Sequence, residues 1–330
     1  MQITVKTTEL RPVFETLSTI FKMSEEYRAV HFEYVRGHLR IAVTTSCHYE
    51  ASIPATSDST DTVEASVIFK DILDILVGDT TVFEITELFV TVSTSIMSVT
   101  FEKSNEIIQY HNIQLDDPIP LVTEEVHNCL STLLNTSFLR KAYKNTPLIT
   151  LHEDRGIVKF PTVWIMYLST MFTGNYTQED ITIISRFKPT GYSETDTKLI
   201  LYNGYATLSV ARTLPSENNF AQIAQSCKLV SSFTAEDVLS RLRAVYKIAG
   251  DGTVVISFSA DGFKMKLHRV GMSSEIYIGE SSNYKATIHL PLEFFVGVLG
   301  IIKGIVKIGY GGDKICLVAD RIHILMSTSG

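Results

Sequence analysis

The sequence has 330 residues and a mass of 36.9 kDa, more than one hydrophobic core usually serves, and so predicts two or three domains of about 100–150 residues each. Hydrophobic residues at 45% and charged residues at 20% exclude a disordered chain, a collagen and a coiled coil. A net charge of −7 argues against a protein that coats nucleic acid with its whole surface, and leaves room for a local basic face. Four cysteines, Cys47, Cys129, Cys227 and Cys316, stand far apart beside apolar runs, in neither a disulfide framework nor a zinc spacing. No apolar run reaches the ~18 residues of a membrane span, and no charged and apolar leader opens the chain. The expectation is a reduced, soluble, intracellular protein.

In chain order, Met1 to Lys6 reads as a strand. From Thr8, a candidate N-cap, the residues Leu10, Val13, Phe14, Leu17, Ile20 and Phe21 recur at helical spacing. Residues 32–43 alternate with period two around Gly37 and predict a hairpin. A second helix is expected over 66–77, ending at Gly78, with a further hairpin over 82–101. The polar, proline-bearing stretch Leu115 to Pro120 reads as a linker. The order then repeats: a helix within His127 to Lys144, a hairpin over 149–160, a helix over 178–187 ending near Gly191, and a hairpin over 198–211 around Asn203-Gly204. After a second linker, 214–228, Thr234-Ala235-Glu236-Asp237 opens a helix with Val238, Leu239, Leu242, Val245 and Tyr246 on one side. A hairpin over 255–267, a helix over 291–303 ending at Gly304 and a hairpin over 305–326 complete the third round. Gly78, Gly191 and Gly304 fall at equal intervals, each where a helix end favours a left-handed residue. Three domains follow from this repeat: 1–117, 118–226 and 227–330.

Helix, hairpin, helix, hairpin in three successive units resembles the bacterial-type DNA polymerase sliding clamp, the beta subunit class. Asn112-Ile113-Gln114-Leu115-Asp116-Asp117 is similar to the segment closing that family's first domain, and Phe220-Ala221-Gln222-Ile223 to the one closing its second. At 330 residues the chain is shorter than bacterial clamps usually are, as a phage-encoded member would be. The resemblance implies an α+β fold of three tandem clamp-like domains, each with two helices backed by antiparallel sheets. It also implies a head-to-tail homodimer that closes a ring. Twelve helices side by side, each about 10 Å wide, leave a hole of roughly 28 Å, wide enough for duplex DNA about 20 Å across.

The same resemblance implies where the work is done. Basic residues would face DNA: Arg11, Lys22 and Lys70 with the loop residue Arg28 in the first domain, Arg140, Lys141, Lys144, Arg186 and Lys188 in the second, and Arg241, Arg243, Lys247 and Lys303 in the third. Such a sparse lining meets phosphates without reading bases; an ordinary solvated helix face would show the same residue types. Glu9, Glu15, Asp71, Asp74, Glu179 and Asp180 dilute the positive potential. Polymerase and clamp loader would dock through an apolar peptide in a pocket of Trp164, Met166, Ile324 and Met326. The family's Thr-Asp-Gly-His-Arg-Leu motif and Met-Pro-Met-Arg-Leu tail are both missing here. The ring interface would use Met97 and Val99 with Ile276 and Ile278.

No phosphate-binding G-x-x-x-x-G-K-[ST] loop and no G-x-S-x-G elbow occurs, the nine histidines are scattered, and Cys47-His48 lacks further ligands at metal spacing. The reading is therefore a processivity factor without catalytic residues, metal or cofactor, acting in the cytoplasm of a bacterium or phage-infected host. A β-rich repeat protein of virion assembly, or a polymerase accessory factor that closes no ring, is the alternative.

Overall fold

The structure, a computed structural model, describes the chain except residues 25–28, 69–71, 107, 109, 111–116, 137, 140–142, 145–146, 216–219, 250–252, 260–261, 270–271, 279–285, 312–313 and 328–330. Strand β1 (Gln2–Lys6) buries Ile3 and Val5 by alternation and runs into helix α1 (Thr7–Ser24). The helix opens one residue before the expected cap. The Thr7 hydroxyl pairs with that of Thr81 at 3.0 Å. Strands β2 (Ala29–Val35) and β3 (His38–Thr44) form the expected hairpin, turned at Arg36 and Gly37 with φ of 50° and 80°, the left-handed pair a tight two-residue turn requires. β4 (Cys47–Ser57) and β5 (Val63–Ile68) follow.

The helix expected over 66–77 is not formed among the described residues. β5 takes its first part, since Val63 to Ile68 pair along β2, and a tight turn takes its last, with Ile75 N–H on Ile72 O and Leu76 N–H on Leu73 O. Ile72, Ile75 and Leu76 are buried as a helix would bury them, which is why their spacing misleads. Strands β6 (Thr80–Ile85), β7 (Phe89–Ser93), β8 (Ser98–Ser104) and β9 (Ile119–Pro120) lead to α2 (Thr123–Leu134). This helix starts a turn earlier than expected, with Glu124 and Glu125 favoured at its positive end. It stops at Asn135-Thr136, where the Thr136 hydroxyl donates to Leu133 O at 3.0 Å.

Strands β10 (Ile149–His152), β11 (Arg155–Lys159), β12 (Val163–Leu168) and β13 (Gly174–Tyr176) precede α3 (Gln178–Phe187), which has the expected bounds. β14 (Gly191–Glu194), β15 (Lys198–Asn203) and β16 (Ala206–Ala211) end at a short helix, α4 (Phe220–Ser226). The third round holds β17 (Lys228–Thr234), α5 (Ala235–Ala249), β18 (Thr253–Ser259), β19 (Gly262–Arg269), β20 (Met272–Ile278), β21 (Ala286–Pro291) and α6 (Leu292–Gly300). β22 (Ile305–Gly311), β23 (Lys314–Ala319) and β24 (Ile322–Ser327) close the chain.

Two compact units result. The first comprises Met1–His127 and Glu179–Leu214. Its sheet runs β1-β6-β7-β8-β5-β2-β3-β4-β16-β15-β14-β9, and a further β1–β4 pairing closes the first eight strands on themselves. Phe14 on α1 lies 6.5 Å from Phe32, which lies 5.4 Å from Phe83, so helix and sheet share one core. Burying each such ring contributes roughly 1.5–3 kcal/mol. The second unit, Asn128–Gln178 with Pro215–Gly330, holds an eight-stranded sheet, β13-β10-β11-β12-β24-β23-β22-β17, and a four-stranded one, β20-β19-β18-β21. Leu292, Phe295, Val298 and Leu299 of α6 are buried there. A side chain on Gly297 would meet the Phe138 ring at 2.3 Å, so only glycine admits that close approach.

One pattern recurs three times. The strand entering each first helix pairs antiparallel with a strand that begins at or shortly after one of the equally spaced glycines Gly78, Gly191 and Gly304: β1 with β6, β9 with β14, β17 with β22. One backbone bond of 2.9 Å recurs beside each pairing, Thr7 N–H to Asp79 O, Leu121 N–H to Thr190 O, and Ala235 N–H to Gly304 O.

Candidate nucleic-acid and partner interface

The helices put cations near their ends for a local reason: acidic residues in first turns and basic ones in last turns both suit the helix dipole. Lys22, Arg186 and Lys247 occupy the last turns of α1, α3 and α5. In the first unit, Glu15 joins two guanidiniums, Arg11 at 3.6 Å and Arg186 at 2.6 Å, while Arg11 also donates to Leu76 O at 3.3 Å. Lys188, exposed and left-handed at φ 53°, follows α3. Arg186 and Lys188 line a cleft of about 190 Å³ with Glu15, Tyr49, Asn203 and Tyr205.

In the second unit Lys144, Arg243 and Lys247 are exposed, and Arg241 is held by Asp237 at 2.9 Å. Lys303 lines a larger cleft of about 430 Å³ with Arg321, Asp320, the α2 residues Asn128 and Thr132, and Asn135 just beyond the helix. Arg321, at a hairpin turn, is a further cation here that the sequence reading did not count among the DNA-facing residues. Asn128 and Thr132, four residues apart, share one side of α2, a spacing the sequence contains but the sequence reading did not use. Arg28, Lys70, Arg140 and Lys141 lie outside the described residues. Glu15 and Asp237 thus each pair with cations that the sequence reading expected to face DNA.

The four residues expected to line one peptide pocket do not come together. In the β12–β24 ladder Val163 pairs with Met326 and Ile165 with Ile324, whereas Trp164 pairs with Leu325 and Met166 with His323. Directly paired residues share a face, so Trp164 and Met166 lie on one side of the sheet and Ile324 and Met326 on the other. Ile324 and Met326 are fully buried. On the Trp164 side, α4 covers the strands, with the Phe220 ring 6.0 Å from the indole, and Lys159 Nζ sits 3.9 Å from the indole centre.

For the ring interface, β8 pairs with β7 from Ser98 to Glu102 but with β5 only at Lys103 and Ser104, so Ser98 to Thr100 lie at a sheet edge. Met97 is 48% exposed beside it and Ile96 70%. β20 is the outer strand of the four-stranded sheet, with Ile276 in register with Met265 and Ile278 with Phe263.

Cys47 and His48 turn to different partners, the thiol to Thr45 and the imidazole to Thr44 and Glu50 at 2.7 Å each. Burial pushes the Cys47 thiol up to about 11, which suppresses the nucleophilic thiolate. Among the described residues no group of three or more His, Cys, Asp or Glu could hold a metal ion, and no helix is long and apolar enough to cross a membrane.

No protein-family model matches the sequence, and neither does any curated protein. Solved structures do match in fold. The chain superposes over its whole length on the Helicobacter pylori beta clamp bound to a DNA ligase peptide, covering 100% of that chain, with a TM-score of 0.75 at 11% identity. Caulobacter crescentus pol III beta gives 0.79 at 9% with 100% of both chains covered, and the Thermotoga maritima DNA polymerase III beta subunit 0.79 at 11% with 99% of that chain covered. The chain has the fold of these bacterial beta clamps, with few helices and large antiparallel sheets.

Proposed function

We propose that this protein is a DNA polymerase processivity factor, a sliding clamp that encircles duplex DNA without sequence specificity and tethers a replicative polymerase. The observation that carries this is the superposition on bacterial beta clamps, which covers 100% of this chain and 99–100% of theirs. Three clamp-like domains, 1–117, 118–226 and 227–330, fit the thrice-repeated strand pairing. Two chains join head to tail, the edge at β8 of one meeting β20 of the other through Met97, Val99, Ile276 and Ile278, and such joining closes when the rotation does. Exposed cations such as Lys22, Lys188, Arg243, Lys247 and Lys303 meet phosphates, and sliding needs no base readout.

The protein catalyses nothing in this reading; a clamp loader opens the ring and polymerase docks on it, in the cytoplasm of a bacterium or a phage-infected host. The Helicobacter clamp binds a DNA ligase peptide. A corresponding partner peptide here belongs on the Trp164 and Met166 side, beside Leu325 and His323. The test is topological. Loaded protein should stay on closed circular DNA and leave once the circle is cut, and its solution mass should be twice 36.9 kDa. Equal retention on circular and linear DNA sinks the reading.

A further inference from the structure

The Trp164 face of the eight-stranded sheet is built as a platform. Register aligns two cross-strand rows, Ile157–Met166–His323–Val318 and Lys159–Trp164–Leu325–Cys316. The cluster on it includes Phe220, Ile223, Ala224 and Cys227, residues spaced three, one and three apart, so one side of α4 and its end fill the platform. Phe220 is completely buried.

Apart from the helix-forming Ala221, Gln222, Ala224 and Gln225, little in α4 itself argues for a helix at this place. It has seven residues, no acidic side chain in its first turn and no basic one in its last. Segments shorter than about 12–15 residues are marginal as helices in water. Its hold therefore comes from the apolar seat. Beyond it the chain pairs antiparallel alongside β22, and a side chain on Gly309 or Gly311 would meet the backbone of 226–229 at 2.8–3.2 Å. Cys227 and Cys316 are within hydrogen-bonding contact beneath this cover, and burial pushes the Cys316 thiol up to about 12.

We infer that α4 is a resident stand-in for the partner peptide: it occupies the docking platform in cis, and a partner binds by displacing it. The inference rests on reading this face as a peptide-docking site, and it specifies the guest. The guest is a short apolar helical turn with an aromatic first residue, an aliphatic residue three positions on and a small one next to that, the pattern α4 itself presents. The apparent affinity for such a guest falls by the fraction of molecules whose platform is open.

The only tryptophan lies under the cover and reports its removal. Wild type and Phe220→Ala are titrated with a synthetic peptide of residues 220–227, serine replacing the cysteine, and Trp164 emission is read. Separately, iodoacetamide labelling is mapped by mass spectrometry. The variant should bind at least about tenfold more tightly, as expected when the open fraction rises tenfold. Cys227 and Cys316 should label about tenfold faster in it, while Cys47 and Cys129, buried elsewhere, stay unchanged as controls. A folded variant with no gain in binding or labelling overturns the inference, as does wild type binding equally tightly. If Phe220→Ala does not fold, Ile223→Ser, at a partly buried position, is judged by the same two readouts. Retention on circular DNA is independent of both, so loss of the clamp reading and loss of the cover are separable outcomes.

Discussion

Glu236, in the first turn of α5, joins two stretches of chain far apart in sequence. Its two carboxylate oxygens accept the Gly304 N–H at 3.0 and 3.1 Å. That bond first, then its own backbone N–H and the charge of Lys303, hold the carboxyl below its usual value although the group is fully exposed. A folded-state pKa depressed in this way adds stability above the unfolded value of about 4.5 and loses it as pH falls through the folded value. Glu236→Gln should therefore lower Tm at neutral pH and lose less than wild type on acidification. Tm measured from about pH 6 to pH 3 for both proteins decides it; parallel curves would mean the bond contributes nothing. The sequence already placed this residue in the opening Thr234-Ala235-Glu236-Asp237, where Asp237 rather than Glu236 is the acid three residues after the cap. What it could not supply was the partner, because Gly304 reaches the helix only through the β17–β22 pairing.

At the scale of elements, legibility followed how local the cause was. Arg36-Gly37 is a turn that needs little beyond its own residues, the turn expected at Asn203-Gly204 falls one residue later, at Gly204-Tyr205, and α3 carries its apolar stripe and acidic start within ten residues. The 66–77 stretch failed because the competing β2–β5 pairing is long-range and Ile72, Ile75 and Leu76 satisfy burial in either conformation. The peptide pocket failed for a sharper reason. Alternation says that Trp164 and Met166 share a side and that Ile324 and Met326 share a side, but only register says whether those sides coincide, and a one-residue offset inverts the answer. The proposed β8 edge rests on exposure rather than on alternation. Met97 is 48% exposed, so Met97→Glu should leave folding within about 0.5 kcal/mol of wild type. Set against a second chain's apolar strand, however, the carboxylate must be desolvated, and dimerisation should weaken into the accessible range, with Kd raised about tenfold or more. Sedimentation equilibrium of both proteins, with thermal unfolding as the control, reads the two effects apart.

At the scale of the whole molecule the acidic balance and the proposed DNA contact are compatible because acidic partners are distributed unevenly among the described cations. Glu15 sits between Arg11 and Arg186, and Asp237 holds Arg241, whereas Arg243 and Lys247 stand exposed on the same helix as Arg241. Each cation that displaces a counterion from duplex DNA adds about 0.9 to the slope of log affinity against log salt. Replacing Arg243 and Lys247 together by serine should lower that slope by up to about 1.8, whereas Arg241→Ser should change it less, because Asp237 already offsets that charge. The expected sign holds for short linear duplexes, where binding is an equilibrium. On closed circles a topological clamp escapes only by opening, so the same double substitution should barely alter residence there. Binding to a short duplex across a salt series, together with residence on circular DNA, checks both halves. Equal loss on linear and circular DNA would place the hold in charge rather than in enclosure, and with it would fall the proposed ring.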